Sequence, residues 1–121
     1  MKELTSFVYR LYYPGYDQCY IGQARVPEMR YKCHIGKLQR NSHQNKYIQA
    51  FYNETGLLPL MEILIEVELP VIDAVEQFYI GKYIRLLGIK CFNIKYNPMI
   101  DNHNENKYID NQSFIKYIKN Y

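Results

Sequence analysis

Apolar and aromatic positions fill the first part of the chain in two runs, Phe7-Val8-Tyr9 and Leu11-Tyr12-Tyr13, and the pattern breaks at Pro14-Gly15-Tyr16-Asp17. Thr5 to Tyr13 is rich in β-branched and aromatic residues, the break has turn chemistry, and Gln18 to Ala24 resumes the strand character. A β-hairpin is predicted. A period of two puts Phe7, Tyr9 and Leu11 on one face and Val8, Arg10 and Tyr12 on the other. Tyr20 and Gly22 share a face of the second strand, so Tyr9 and Tyr20 are expected side by side.

The period then lengthens. Pro27 suits the first turn of a helix that runs to about Arg40, where Asn41-Ser42-His43 ends it. Arg30, His34 and Lys37 fall on one stripe of that helix. A second helix is predicted from about Gln44 to Gly56, which has the character of a left-handed cap, with Ile48, Phe51 and Tyr52 as its apolar side. In Leu60 to Glu68, Met61, Ile63, Ile65 and Val67 alternate with Leu60, Glu62, Leu64 and Glu66, the pattern of a third strand. Pro70 opens a third helix through Leu87, closed by Gly88, and Cys91-Phe92-Asn93-Ile94 is expected to return to the sheet as a short extended segment. The fold class is α/β of the α+β kind, a small three-stranded, mainly antiparallel sheet flanked by helices, over residues 1–96. Residues 97–121 are expected to be an asparagine-rich polar linker followed by a short amphipathic helix on Phe114, Tyr117, Ile118 and Tyr121.

At 121 residues the chain is sized for one domain with a real core. Its net charge of +3 names no partner, but its distribution is two-sided. Residues 25–46 hold Arg25, Arg30, Lys32, Lys37, Arg40 and Lys46 against Glu28 alone, whereas residues 54–76 hold six carboxylates and no Lys or Arg. A basic block of this kind is the footprint of a phosphate-binding face or, more plainly, a solvated helix face. Cys19, Cys33 and Cys91 are too far apart for a CxxC site and odd in number, so reduced core thiols are expected rather than a disulfide framework or zinc. The N-terminus has no apolar signal region, and no stretch approaches ~18 uninterrupted apolar residues. A cytoplasmic location with no membrane partner is expected.

Several residues could carry chemistry. Glu76 lies three or four positions from Ile72, Asp73, Tyr79 and Ile80, none of them basic, and a carboxylate beside an apolar stripe needs compensating charge or a metal unless it reaches solvent. Arg30 is a planar, permanent cation suited to bidentate phosphate contact, or to an ordinary surface ion pair. His34 and His43 are proton carriers by type, with an unperturbed pKa of ~6.5. Tyr9 and Tyr20 are set against twelve other tyrosines, most of which must be packing residues.

Taken in order, Tyr9 in Phe7-Val8-Tyr9, Tyr20 and Gly22 in Tyr20-Ile21-Gly22, Arg30, His34, His43, Glu76 and Asn93 resemble the signature of the GIY-YIG nuclease family from about Thr5 to Asn97. One departure is plain: Phe7 stands where the family usually has glycine. The resemblance implies a divalent-metal-dependent DNA endonuclease acting on duplex or branched DNA, cutting one strand per active site and leaving 5′-phosphate and 3′-hydroxyl ends. It implies Mg²⁺ or Mn²⁺ on Glu76 and no small-molecule cofactor. Tyr9 would be the base, its phenolate favoured by neighbouring Arg or Lys charge and by the metal, and Tyr20 would orient water or bind phosphate. Arg30 would neutralise developing charge, with His34 and His43 as alternative proton carriers. Gly22, Arg25, Lys37, Arg40 and Asn93 would contact substrate, although Asn93 could instead fix local geometry. A double-strand break would need a homodimer or two encounters. A phage or mobile-element nuclease, a restriction-type enzyme, a catalytically degenerate nucleic-acid-binding module and a subunit of a larger complex all remain open at this point.

Overall fold

The computed structural model describes residues 4–94. The C-terminal linker and amphipathic helix expected beyond them lie outside the described residues. Strands β1 (Thr5–Tyr12) and β2 (Cys19–Ala24) form the predicted hairpin, and β3 (Leu60–Glu68) pairs with the other side of β1, giving an antiparallel sheet of order β2-β1-β3. The central strand is buried on both faces: Val8 and Leu11 are fully covered and Tyr9 nearly so.

Helix α1 (Pro27–Gln39) starts at its proline, and the chain leaves it through Asn41 in the left-handed region at φ 55°. Helix α2 (Lys46–Thr55) starts slightly later than expected because Asn45, not Gln44, caps it, its side-chain oxygen accepting the backbone N–H groups of Tyr47 and Ile48. Gly56 closes it at φ 72°. A short 3₁₀ turn over Leu69–Val71 accommodates Pro70 and leads into α3 (Ile72–Leu87), two residues later than predicted. Beyond Gly88 the chain returns as expected: the Cys91 backbone pairs in parallel with that of Cys19, both thiols being free, and the Phe92 N–H donates to the Cys19 carbonyl.

Two apolar layers enclose the sheet. On one face Val8, Ile21 and Ile65 pack with Ile72, Val75, Phe78, Tyr79 and Ile80 of α3. On the other, Tyr9, Leu11, Tyr13 and Ala24 pack with Leu38 of α1, Ile48 of α2 and Phe92. The strict alternation expected of β3 does not hold along its whole length. Val8 pairs with Ile65 but Tyr9 with Ile63, so a bulge at Leu64 inserts one residue and switches the faces. Met61 and Ile63 therefore join the α1 and α2 layer, while Leu64, Ile65 and Val67 join the α3 layer. Phe7 sits in regular strand, paired with Ala24 and Glu66; among the described non-glycine residues only Asn41 has positive φ, so the backbone at Phe7 makes no demand for glycine.

Candidate active site

With α1 against one face of β2 and α3 against the other, the exposed edge of this strand becomes the floor of a cleft of about 850 Å³. Tyr9, Tyr20, Gly22, His34 and His43 line it from the α1 side together with Arg25, Arg30 and Lys37. Glu76 and Asn93 line it from the side of α3 and the returning segment. The two electrical halves of the sequence thus meet across one strand. Arg40 is the exception: it is exposed outside the cleft lining, its guanidinium folded back along α1 against Gly36.

The tyrosines are diagonal rather than directly opposed, since Tyr9 pairs with Gly22 and Leu11 with Tyr20. Tyr9 lies so closely over Gly22 that a Cβ there would overlap its phenol. The glycine in Tyr20-Ile21-Gly22 is required by the tyrosine on the neighbouring strand. Both phenol rings meet the His34 ring edge to face, with centroids 5.8 and 5.6 Å away. The Tyr9 hydroxyl is 2.7 Å from His34 Nε2, His34 Nδ1 is 2.8 Å from His43 Nε2, and the Asn45 backbone N–H donates to His43 Nδ1 at 3.0 Å.

Burial dominates the electrostatics of this cluster. It pushes the His34 imidazole down to about 3, with His43, Arg30 and Lys37 adding to the effect, and it lowers His43 as well, helped by Lys37. Both rings are therefore neutral near pH 7. Burial also holds the Tyr9 and Tyr20 phenols above their ordinary range, and the Glu76 charge reinforces this while Arg30 opposes it. The expected preference for phenolate is thus not established by Arg30. In this charge state Tyr9 is a neutral phenol.

On the other side of β2, Gln23 donates through Nε2 to Asp73 Oδ1 at 2.8 Å and to Glu76 Oε1 at 3.2 Å. Burial raises the Glu76 carboxyl, the Gln23 amide pulls it back, and Asp73 pushes it up again. Gln23 and Asp73 were not singled out from the sequence, although period-two alternation already places Gln23 on the face opposite Gly22, where α3 packs. Among the described residues no group of three or more His, Cys, Asp or Glu side chains is arranged to hold a metal ion. A half-buried carboxylate with a second carboxylate, Asp73, on the same Gln23 amide does fit a hard divalent cation that keeps most of its water and takes phosphate as a further ligand. Glu76 would hold it, with Asp73 at the outer edge.

Asn93 is engaged at both ends of its amide: Oδ1 accepts from the Ile21 N–H at 2.8 Å and Nδ2 donates to the Ile21 carbonyl at 2.7 Å. The side chain mimics a strand partner and holds the residue between Tyr20 and Gly22 in place, which favours the geometric role over phosphate contact.

No protein-family model and no curated protein sequence matches the chain. Among solved structures it is similar to the catalytic domain of the homing endonuclease I-TevI, with 26% identity and a TM-score of 0.66 over 74% of this chain and 98% of that one. A glutamate-to-alanine mutant of the I-TevI catalytic domain superimposes with a TM-score of 0.65 at 23% identity, over 77% of this chain and 99% of the other. The three-stranded antiparallel sheet with its three helices is that of the GIY-YIG catalytic domain, and the family resemblance drawn from the sequence holds across the whole fold.

Proposed function

We propose that this chain is a DNA endonuclease that hydrolyses one phosphodiester bond per active site, using Mg²⁺ or Mn²⁺ held by Glu76 and releasing 5′-phosphate and 3′-hydroxyl ends. The observation that carries the proposal is the convergence, in one cleft of an endonuclease-like fold, of a buried tyrosine–histidine pair, an exposed arginine and a half-buried glutamate. A module that only bound nucleic acid would have no use for an incompletely compensated carboxylate facing a phosphate site.

Arg25, Arg30 and Lys37 would receive the DNA backbone along α1. Arg30, exposed and planar, would hold the scissile phosphate by two N–H donors and meet the charge that develops on its oxygens. A cation on Glu76, when bound, supplies Lewis-acid polarisation of the phosphate and favours the deprotonated form of nearby oxygens. Tyr9, once ionised to its phenolate, would take the proton of the attacking water, and Tyr20, beside the same histidine, would orient that water. The walls around Tyr9 exclude bulk solvent, so its donor and acceptor geometry is set before substrate arrives.

The test is nicking of supercoiled plasmid by the purified chain in Mg²⁺, Mn²⁺ or EDTA, beside Glu76→Ala. Cleavage is expected only with a divalent cation and only in the wild type, with DNA binding retained by the variant. Cleavage in EDTA would overturn the cation-dependent mechanism, and absence of cleavage under all conditions would overturn the enzymatic reading. A homodimer is the simplest route to a double-strand break, and linear product appearing with second-order dependence on protein concentration would support it.

A further inference from the structure

Resting on the nuclease reading, the geometry points to His43, anchored on the backbone N–H of Asn45, as a positioning residue that fixes a one-way donor chain through His34 to Tyr9, so that neither histidine receives the proton of the nucleophile. The direction follows from a single group that cannot change its role. A backbone N–H only donates, so His43 Nδ1, 3.0 Å from Asn45 N, must carry the lone pair. A neutral His43 then has its proton on Nε2, and it donates across 2.8 Å to His34 Nδ1. His34 in turn has its proton on Nε2 and donates across 2.7 Å to the Tyr9 oxygen. Reversing the chain would place two hydrogens between Asn45 N and His43 Nδ1, and protonating either ring would place two between adjacent donors.

The anchor itself is held from several directions. Asn45 is buried; its side-chain oxygen caps α2 and its amide donates to the Phe92 carbonyl at 2.7 Å. The His43 backbone N–H donates to Gln49 Oε1, and Gln49 donates onward to the Leu38 carbonyl. An N-cap N–H is commonly met by a Glu or Gln three residues into the helix; here that residue is Ile48, which offers no acceptor, and His43 takes its place.

The consequence for Tyr9 is directional. Its oxygen accepts from His34, so its own O–H is directed away from the histidine. When it ionises, the proton passes to cleft water, and the phenolate retains a hydrogen bond from His34 that is stronger than the one the neutral phenol accepted. In the hydrolytic step the O–H bond of the attacking water breaks as the Tyr9 O–H bond re-forms, while the histidines exchange no proton. Neither ring presents a free lone pair to the water, so a histidine general base is excluded by the same geometry.

The experiment is a long-range ¹H–¹⁵N correlation spectrum of the metal-free full chain at pH 7, which distinguishes ring nitrogens that carry hydrogen from those that do not. His34 and His43 are both expected as Nε2–H tautomers. An Nδ1–H tautomer or a doubly protonated ring at either position overturns the inference. Two substitutions separate direction from mere packing. His43→Gln can accept from Asn45 and donate to His34 in the same order, so it should keep the His34 tautomer and most of the nicking rate. His43→Leu cannot donate, so His34 should gain an Nδ1–H population and nicking should fall about 10- to 100-fold, the scale of losing an orienting partner. If Gln proves as damaging as Leu while both variants remain folded, the directional role is wrong. A wild type with the expected tautomers and no nicking would refute the nuclease reading and leave the donor chain standing; nicking with the opposite tautomers would do the reverse.

Discussion

The two sides of β2 solve opposite problems. On the α1 side, polar groups are buried but matched: Tyr9, His34, His43 and Asn45 form a continuous neutral chain with a partner at each link. On the α3 side, Asp73 and Glu76 share one amide from Gln23, and the half-buried Glu76 remains under-compensated. A satisfied neutral network can be rigid before substrate arrives, whereas an under-compensated carboxylate is stabilised by whatever cation arrives. In the proposed mechanism, preorganisation and cation capture are thus divided between the faces of a single strand.

The sharpest way to break this contrast is at Glu76. Glu76→Gln should abolish divalent-dependent nicking, a loss of at least about a thousandfold if the cation supplies the main stabilisation of the phosphate. The same change should leave the metal-free fold as stable as the wild type or more stable at pH 8. The sign follows from linkage: burial raises the folded pKa of Glu76, so its contribution is present below the unfolded pKa and is lost as pH rises through the folded one. Chemical denaturation of both proteins in EDTA checks this. A glutamine variant clearly less stable at pH 8 would mean that the carboxylate is compensated by the protein itself.

Arg30→Lys tests whether the cationic side works in turnover or only in capture. Most DNA affinity should remain and single-turnover cleavage should fall by roughly two orders of magnitude, as expected when one preorganised donor is lost at the site of developing charge. Comparable losses in binding and cleavage would confine Arg30 to docking.

How much of this contrast was legible in the sequence depends on the kind of force involved. Elements set by local rules emerged cleanly: the hairpin from β-branched and aromatic runs either side of Pro14-Gly15, α1 from Pro27, the end of α2 from Gly56 and that of α3 from Gly88. The bulge at Leu64 did not, because Leu64 and Ile65 are both apolar and an inserted residue leaves no trace in an alternating pattern once both faces are buried. In the candidate site, the order of Tyr9, Tyr20, Gly22, Arg30, His34, His43 and Glu76 pointed to one cleft. The reason for Gly22 was hidden, since it lies in the register of another strand. Asn45 was hidden inside the expected span of α2, because its role towards His43 depends on a backbone N–H, which every residue but proline has. Arg40 was grouped with the substrate-binding residues by charge alone, and its place outside the cleft lining depends on how its side chain folds back along α1, which charge does not reveal.

The matched side should reveal itself under acid. Burial depresses His34 to about 3 from an ordinary value near 6.5, so the unfolded chain binds the proton more readily than the folded one between those values. The stabilising contribution is complete above about pH 6.5 and is lost as pH falls towards 3, at up to about 1.4 kcal/mol per pH unit for this one group. Carboxylates titrate in the lower part of the same window, so the informative quantity is the difference from His34→Gln. That variant should show a slope of unfolding free energy against pH shallower by close to one proton between pH 5 and 6. Parallel slopes would mean that His34 is charged in the fold, which the donor chain forbids.

The smallest effect separates the two cations at the end of α1. Lys37 lines the cleft and Arg40 folds back beside Gly36, so only the first is placed to displace counterions from DNA bound there. Lys37→Ala should flatten the log–log salt dependence of DNA affinity by roughly one unit, uniformly across sequences, and Arg40→Ala by much less. The discriminating measurement is the slope, because removing any positive charge lowers affinity somewhat at low salt through the long-range field. Equal slope changes would place the DNA across the outer surface of α1, where Arg40 is exposed, and would move the phosphate path away from Glu76. The carboxylate side of β2 would then face a path the backbone does not follow, and the division of labour between the two faces would fail with it.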